Sequence, residues 1–271
     1  MTQTAVETSP PPGSLHYSCN ICSAPNTALA ASLERESGAC SSCGANVRFR
    51  SVAAVLTKHL FGDVVALGDI AANQAICGVG MSDASCYADR LAAKFNYTNT
   101  YFHCQPHLDV TAPEAHWMGK QDFVIASDVF EHIEPPIQRA FDKMYALLKP
   151  NGIAVFSVPY TFEAESREHF PNLHSFTIQQ ESADAWVLNN VARDGEVEQF
   201  RDLVFHGGPG STLEMRLFSL AALNRHFTAA GFIDVRVHSE PYFEHGIFWL
   251  HPWSVTISAK RGAVPANSAT L

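Results

Sequence analysis

The sequence predicts an α/β fold with a largely parallel sheet, preceded by a small cysteine-rich module. Short apolar runs alternate with amphipathic helical segments from residue 51 onward, which is typical of parallel βα units. Two Cys-x-x-Cys pairs lie ahead of that region and indicate a compact metal-binding module. The chain has 271 residues, 46% of them hydrophobic, so it can bury a core of its own.

The elements follow from hydrophobic periodicity. Apolar residues recur at helical spacing in four segments, which predicts helices at 51–61, 85–94, 136–148 and 219–230. Short apolar runs bounded by turn residues predict strands at 74–80, 100–104, 122–127, 153–158, 233–238 and 254–259. Residues 161–212 have no regular pattern, so we interpret them as a substrate-side insertion in a main domain spanning 51–261. The composition of residues 1–14 and 262–271 predicts disordered tails.

The charge of the chain limits its partners. Its 18 Lys and Arg residues are outnumbered by 27 Asp and Glu residues, giving a net charge of −9. This balance argues against a nucleic-acid partner held by phosphate contacts and against docking on an anionic membrane. Only residues 1–60 have a slight basic excess, so any anion-binding role belongs to the front of the chain. We see neither a membrane span nor a signal-peptide pattern, and we expect a cytoplasmic protein.

The cysteine module spans residues 15–50. Cys19 with Cys22, and Cys40 with Cys43, form two pairs at the spacing of a zinc ribbon. Four thiolates close a tetrahedral shell and leave no open position for water, so we predict a structural Zn²⁺. The alternative is a pair of redox Cys-x-x-Cys motifs. The other three cysteines are expected to be core thiols: Cys77, Cys86 and Cys104.

Two arginines directly follow this module. Arg48 and Arg50 could contact an anionic substrate, hold the ribbon against the main domain, or remain on the surface.

A glycine pair lies between the first predicted strand and the helix at 85–94. Gly78 and Gly80 would let a ligand approach the backbone, and the following helix N-terminus favours negative charge. Downstream, residues 122–133 read DFVIASDVFEHI, residues 147–152 read LLKPNG and residues 218–232 read FSLAALNRHFTAAGF. In this order the motifs resemble the class I S-adenosylmethionine-dependent methyltransferases, and the chain is most similar to type 11-like members that carry an N-terminal zinc ribbon.

The resemblance implies a Rossmann-like sheet of seven strands with helices on both faces. The cofactor, S-adenosylmethionine, would lie across the carboxyl ends of the strands. The residues that the resemblance assigns to the cofactor site are Gly78, Gly80, Ser82, Asp83, Gln105, Asp109, Ser127 and Asp128.

Within that set the glycines would lie under the methionine part, and Asp109 would face the adenine amino group. Ser127 and Asp128 would line the methionine and the transfer site. Two positions depart from the family pattern: Ile76 stands where an acidic residue is usual, and Gln105 occupies the expected place of the ribose-binding acid. A glutamine can bond two hydroxyls, but without the strength that a charge adds.

Histidines are the natural bases near neutral pH, and the chain has 13. The candidates for a base or a substrate contact are His132, His169, His174 and His206. Each could instead be a structural or surface histidine, and three histidines could hold a second metal ion. Five aromatic residues could form an apolar substrate pocket, although core packing suits most of them: Tyr160, Phe162, Phe170, Phe176 and Trp186.

Three functions follow as hypotheses. The leading one is methyl transfer from S-adenosylmethionine to a small-molecule or sugar-containing (glycan-type) acceptor. The second is an RNA methyltransferase that uses the ribbon as an RNA clamp, which the charge balance disfavours. The third is a non-catalytic interaction protein on a methyltransferase scaffold.

Overall fold

The computed structural model describes residues 13–182 and 185–263. Most of both predicted tails therefore lies outside the described residues, but Ser14 is not part of a tail because it begins the first strand. The helices are α1 (Val47–Phe61), α2 (Ser85–Lys94), α3 (Gln138–Leu147) and α4 (Leu220–Ala229). The strands are β1 (Ser14–Ser18), β2 (Pro25–Leu29), β3 (Asn73–Met81), β4 (Phe95–Thr100), β5 (Gln121–Ser127), β6 (Leu148–Ser157), β7 (Tyr160–Thr161), β8 (Arg167–Glu168), β9 (Ser175–Gln180), β10 (Trp186–Val191), β11 (Val197–Phe200), β12 (Phe205–His206), β13 (Thr212–Leu213), β14 (Arg216–Ser219), β15 (Phe232–Val237) and β16 (Ile257–Arg261).

The central sheet confirms the predicted α/β class. Its order is β15-β16-β6-β5-β3-β4. Strands β4, β3, β5 and β6 are parallel, β16 is antiparallel to them, and β15, which is antiparallel to β16, runs in the same direction as the first four. Among the described residues it has six strands rather than the seven implied by the resemblance. The strand missing from the β4 edge would belong to residues 101–120, which contain two prolines and form only turns and an isolated bridge.

Helices cover both faces of this sheet. Along β5, Phe123 and Ile125 point into the core that contains α1 and α2, whereas Val124 and Ala126 point into the core that contains α3 and α4. Alternate side chains of a strand point to opposite faces, so β5 must be apolar throughout. This explains why the continuous apolar run at 122–127 was readable as a buried strand.

The second strand of the sheet is displaced from its predicted position. It spans β4, directly after α2, rather than residues 100–104. Phe95 and Tyr97 are buried in alternation with exposed or half-buried neighbours, which is the period of a strand. The predicted core thiols are also wrong in part, because Cys104 is exposed and both Cys77 and Cys86 are only half-buried.

The front of the chain is joined to the main domain by a helix rather than by a linker. Helix α1 begins at Val47, four residues before the predicted start, because the Asn46 side chain accepts a hydrogen bond from the Phe49 N–H at 2.9 Å. Arg50 is fully buried and donates to the carbonyls of Ala45, at 2.5 Å, and Gly246, at 2.7 Å. Of the three roles considered for Arg50, the contacts support that of holding the ribbon to the domain.

The irregular segment at 161–212 forms small sheets of its own. Strands β9, β10 and β11 make an antiparallel sheet, and β12 pairs with β13 as a hairpin. Phe170 is buried here and Phe176 packs against the same core, while Trp186 contacts Phe205. These three aromatic residues therefore pack within the insertion. No helix in the described part of the chain combines the length and apolarity needed to cross a bilayer.

Candidate functional site

The carboxyl ends of β3, β4 and β5 lie side by side at one edge of the sheet. Gly78 and Gly80 lie inside β3, where they pair with Phe123 and Ile125, and not in a loop beyond the strand as predicted. A Cβ at Gly78 would come within 2.1 Å of the Phe123 ring, so this glycine is required by packing. The turn itself begins at Ser82, which is exposed, has φ of 57° and donates its N–H to Thr100 O at 2.7 Å.

Asp83, which the resemblance assigns to the cofactor site, follows this turn, and its side chain is buried. Its carboxylate is buried and accepts hydrogen bonds from the hydroxyls of Tyr87, at 2.7 Å, and Tyr97, at 2.5 Å. Burial raises the pKa of Asp83 to about 7. A Cβ at Gly80 would lie 2.0 Å from this carboxylate and from the Tyr97 hydroxyl, so the second glycine makes room for a buried polar cluster.

Gln105 is not at the end of the second strand, because β4 ends at Thr100. It lies in an exposed loop and accepts a hydrogen bond from the His107 N–H at 3.2 Å. Asp109 is better placed, because the neighbouring Leu108 N–H donates to Tyr101 O at 3.0 Å beside the end of β4. One oxygen of the half-buried Asp109 carboxylate accepts from the N–H and hydroxyl of Thr111, both at 2.8 Å.

Ser127 and Asp128 meet two arginines from the cysteine module at the end of β5. Arg35 donates to both carboxylate oxygens of Asp128, at 2.8 and 2.5 Å. Arg48 donates to the Ser127 hydroxyl at 2.7 Å, with its Nε 3.3 Å from Asp128. Glu36 accepts two hydrogen bonds from Arg48, at 2.7 and 2.9 Å, and also pairs with Arg35.

We call this arrangement the arginine cluster (Arg35, Glu36, Arg48 and Asp128). It contains two cations and two anions. Burial opposes ionisation of Asp128, but the hydrogen bond and charge of Arg35 hold its pKa below the ordinary value. The amino acid moiety of S-adenosylmethionine carries one ammonium and one carboxylate, so an anion and a cation at one place fit it. Sequence reasoning missed Arg35 and Glu36, which lie between the two cysteine pairs without any motif.

The four predicted zinc ligands converge. Their sulfur atoms all lie within 4.8 Å of one another, with Cys19 Sγ 3.8 Å from Cys43 Sγ and Cys22 Sγ 3.6 Å from Cys40 Sγ. A tetrahedron with Zn–S bonds of about 2.3 Å has edges of about 3.8 Å, so the cluster has the size that zinc requires. The Asn26 amide donates to Cys40 Sγ at 3.3 Å and orients this ligand.

Three of the four candidate histidines lie in one hydrogen-bonded chain. His132, in a 3₁₀ turn just after β5, has its Nε2 3.1 Å from Nδ1 of His206, which the β12–β13 hairpin supplies. Nε2 of His206 lies 3.1 Å from one oxygen of Glu214, whose other oxygen lies 2.8 Å from His169 Nε2. His174 does not join them; it is exposed at the start of the β9–β11 sheet.

Glu131, beside His132, is a further group that sequence reasoning left without a role. Its side chain is completely buried, and neither oxygen accepts a hydrogen bond from another described residue. Burial, together with the charge of Asp128, raises its pKa well above the ordinary value. Burial also lowers the pKa of His132, so this imidazole is neutral near pH 7. In the sequence, the Glu-His pair within the 122–133 motif is the one feature that indicates a role for Glu131.

An apolar cleft adjoins the arginine cluster. It has a volume of about 420 Å³ and is lined by Pro159, Tyr160, Thr161, Phe162, Leu217, Trp253 and Ser254. Ser254 connects the two features, because its carbonyl accepts a hydrogen bond from Arg35 Nε at 2.8 Å. Of the five aromatic residues considered for a substrate pocket, Tyr160 and Phe162 therefore line a cleft next to the predicted transfer site.

A comparison with protein families matches this chain to a methyltransferase family. The model described as "Methyltransferase domain" covers residues 70–237, which is more than half of the chain. No curated protein matches the chain in a sequence comparison.

Solved structures similar to this chain include three methyltransferases. The 1,6-didemethyltoxoflavin-N1-methyltransferase of Burkholderia thailandensis is 14% identical, with 78% of this chain and 76% of that chain covered and a TM-score of 0.40. An amino pentose methyltransferase from Micromonospora echinaspora is 12% identical, with coverage of 80% and 92% and a TM-score of 0.42. A methyltransferase from Clostridium acetobutylicum is 12% identical, with coverage of 69% and 84% and a TM-score of 0.38.

Proposed function

Because the chain belongs to the methyltransferase domain family, and so is an S-adenosylmethionine-dependent methyltransferase, we propose that it methylates a small-molecule or sugar-containing acceptor. The observation that carries the proposal is the apolar cleft beside the arginine cluster. Its volume of about 420 Å³ lies in the range of small-molecule sites. Ser254 in its lining accepts a hydrogen bond from Arg35, which in turn pairs with Asp128 just after β5.

The proposed cofactor site uses part of the predicted set. Ser82, Asp109, Ser127 and Asp128 lie at or beside the carboxyl ends of β3, β4 and β5, and Asp128 would bind the ammonium of the methionine moiety. Gly78 and Gly80 would contribute indirectly, by letting β3 pack closely. S-adenosylmethionine, when bound, supplies a methyl group on a positively charged sulfur. The protein's task is then to orient the acceptor and, where the acceptor must lose a proton, to receive it.

His132, His169 and His206 are the proposed proton-handling groups. They lie in one chain with Glu214, so a proton taken up at one nitrogen can be shared along the chain. His174 stays a candidate for a substrate contact only, since it lies outside this chain.

Cys19, Cys22, Cys40 and Cys43 are the proposed ligands of a structural Zn²⁺. The closed thiolate shell would hold the segment that carries Arg35 and Glu36, and would thereby complete the arginine cluster. Seven cysteines without disulfides among the described residues suit the reducing cytoplasm, where we place the protein.

The arginine cluster also bears on the RNA alternative. An RNA clamp needs more cations than anions, because phosphates carry only negative charge, whereas a zwitterion such as the methionine moiety can bind a cluster of zero net charge. Arg35 and Arg48 are instead paired with Glu36 and Asp128, and Arg50 is buried against backbone carbonyls. The front of the chain therefore offers little cationic surface for RNA, which favours the small acceptor.

Calorimetric titration with S-adenosylhomocysteine tests the cofactor site. We expect binding by the full chain and at least ~10-fold weaker binding by Asp128→Asn, the equivalent of about 1.4 kcal/mol for one charged contact. Asp194→Asn, in an exposed turn, is the matched control. Equal affinity of all three proteins would remove Asp128 from the site.

The acceptor class is tested with S-adenosylmethionine that carries a radioactive methyl group. The full chain is incubated with total RNA in one reaction and with a low-molecular-mass cell extract in another. Label in the small-molecule fraction alone supports the proposal, whereas label in RNA alone overturns it.

A further inference from the structure

We propose that Glu131, His132 and His206 form a second metal site, which takes a divalent transition-metal ion. The three potential ligand atoms lie together: His132 Nε2 is 3.1 Å from His206 Nδ1, and Glu131 Oε1 is 3.8 and 4.0 Å from these two nitrogens. Two ligands that each bind one ion at about 2.1 Å can be at most about 4.2 Å apart. All three separations fall within this limit.

The hydrogen bonds of the two imidazoles suit metal ligands. His132 Nδ1 lies 2.9 Å from the Leu213 carbonyl, which can only accept, so this nitrogen carries the proton and Nε2 presents a lone pair. On the far side of His206, Nε2 lies 3.1 Å from the Glu214 carboxylate. A ligating histidine typically donates its other N–H to a backbone carbonyl or a carboxylate, and each imidazole has one such partner.

Without an ion, the hydrogen bonds of His132, His206 and Glu214 conflict unless one imidazole carries an extra proton. If His206 donates its Nδ1–H to His132 and is neutral, its Nε2 lone pair faces the Glu214 carboxylate, which is repulsive. An ion between the imidazoles removes this conflict, because His206 can then bind it through Nδ1 and donate from Nε2 to Glu214. The ion and the donated bonds satisfy every nitrogen in the pair.

The buried carboxylate of Glu131 is the independent indication of a cation. It is completely buried, and neither oxygen accepts a hydrogen bond from another described residue. Whether ionised or protonated, this carboxyl group lacks a partner, and buried carboxyl groups are normally hydrogen-bonded, paired with a cation or bound to a metal. The nearest described candidates for its partner are the two imidazoles, at 3.8 and 4.0 Å.

The chemistry of the ligands indicates the ion. Two imidazoles and one carboxylate suit Zn²⁺, Mn²⁺ or Fe²⁺ and leave coordination positions open. The His206 side chain is 37% exposed, so the open positions can be reached from solvent on its side. If the proposed function holds, an oxygen-bearing acceptor, such as one with a sugar hydroxyl, would bind the ion there. With His132 and His206 bound to the ion, the proton-handling role would pass to Glu214 and His169.

The tertiary structure builds this site from distant segments. Arg216 donates to the carbonyls of Phe130, at 3.0 Å, and Ile133, at 2.6 Å, and the Met215 N–H donates to Glu131 O at 2.8 Å. These bonds fix the turn that carries Glu131 and His132 from both sides. Because β14 follows the β12–β13 hairpin directly, these bonds also bring His206 to the same place.

Metal analysis after dialysis against Zn²⁺ tests the proposal with the full chain. We expect two zinc ions per wild-type chain, one at the cysteines and one here, and a single ion in Glu131→Gln and His206→Gln. His116→Gln is the matched control, because His116 and Glu114 form an exposed His–Glu pair at 3.3 Å outside the site. A single zinc in the wild type, or two in both site variants, overturns the proposal.

A second measurement uses Mn²⁺, which binds poorly to thiolates and therefore reports this site without a contribution from the four cysteines. The loss of the free Mn²⁺ signal in electron paramagnetic resonance should show one site in the wild type and in His116→Gln, and at least ~10-fold weaker binding in Glu131→Gln. Without added Mn²⁺, Glu131→Gln should unfold at the same or a higher temperature, since it removes an unpaired buried carboxylate. Added Mn²⁺ should raise the melting temperature of the wild type but not that of Glu131→Gln.

A zinc count of one in the wild-type chain refutes the site, and so does Mn²⁺ binding that Glu131→Gln leaves unchanged. Titration with S-adenosylhomocysteine in metal-free buffer is independent of this result. Failure there would count against the proposed function and leave the metal site standing.

Discussion

Asp83→Asn should abolish a large part of the pH dependence of stability. The carboxyl has a pKa of about 7 in the folded protein, against 3.8 when unperturbed, because it is buried between Tyr87 and Tyr97. A carboxyl with a raised pKa binds its proton more tightly in the folded state. Its stabilisation is therefore complete below pH 3.8 and is lost as the pH rises through about 7.

The pKa difference sets the magnitude. It corresponds to about 4 kcal/mol in total, of which about 3 kcal/mol is lost between pH 4.5 and pH 7.5. The asparagine cannot ionise, so its free energy of unfolding lacks this contribution. The stability of the wild type relative to Asp83→Asn should consequently fall by about 3 kcal/mol across this range.

Urea denaturation at half-unit pH intervals measures this difference directly. Asp89→Asn is the control, because it makes the same change of side chain at an exposed position of the following helix. Other titrating groups are common to the three proteins and cancel. A wild-type minus Asp83→Asn difference that is flat from pH 4.5 to 7.5 would refute the assignment of a proton to the buried carboxyl.

Three further outcomes are expected. Gly80→Ala places a Cβ 2.0 Å from the Asp83 carboxylate, and urea titration should show a free energy of unfolding lower by ~1–3 kcal/mol. In the control Gly262→Ala the nearest contact of the Cβ is at 3.6 Å, so the free energy of unfolding should not change. Arg50→Met leaves carbonyls of both the ribbon and the main domain without donors and should lower the free energy of unfolding by ~3–5 kcal/mol. The control, Arg193→Met at an exposed position, should change it little. Equal midpoints of urea denaturation for the two variants would contradict the anchoring role. Removing zinc with a strong chelator should lower the melting temperature, and Zn²⁺ but not Mg²⁺ should restore it; an unchanged melting temperature in zinc-free protein would exclude a structural ion.

Local patterns account for most of the fold prediction. The apolar run at 122–127 predicted β5, and the helical spacing at 85–94 predicted α2 with the same bounds as the structure. The second strand was misplaced because Phe95 and Tyr97 alternate over too few residues to stand out from the end of the preceding helix. The seventh strand was expected from the family, but the described chain at 101–120 is too rich in turns to form it.

The candidate site was less predictable than the fold. The glycines at 78 and 80 were interpreted as a ligand-binding loop, yet their missing Cβ atoms accommodate an aromatic ring and a buried carboxylate inside the protein. A sequence shows that a side chain is absent, but not which neighbour fills the space. Histidines gave a similar result: four candidates were equivalent in sequence, and only tertiary contacts separated His174 from the other three.

The sequence by itself determined the alternation of strands and helices, the two cysteine pairs and the family, because each depends on residues close together in the chain. Only the tertiary structure decided what meets at the edge of the sheet. Arg35 pairs with Asp128 across 93 residues, and His132 meets His206 across 74. Contacts at such separations have no periodic signal, since the folded sheet and its insertion, and not the local chain, bring the partners together.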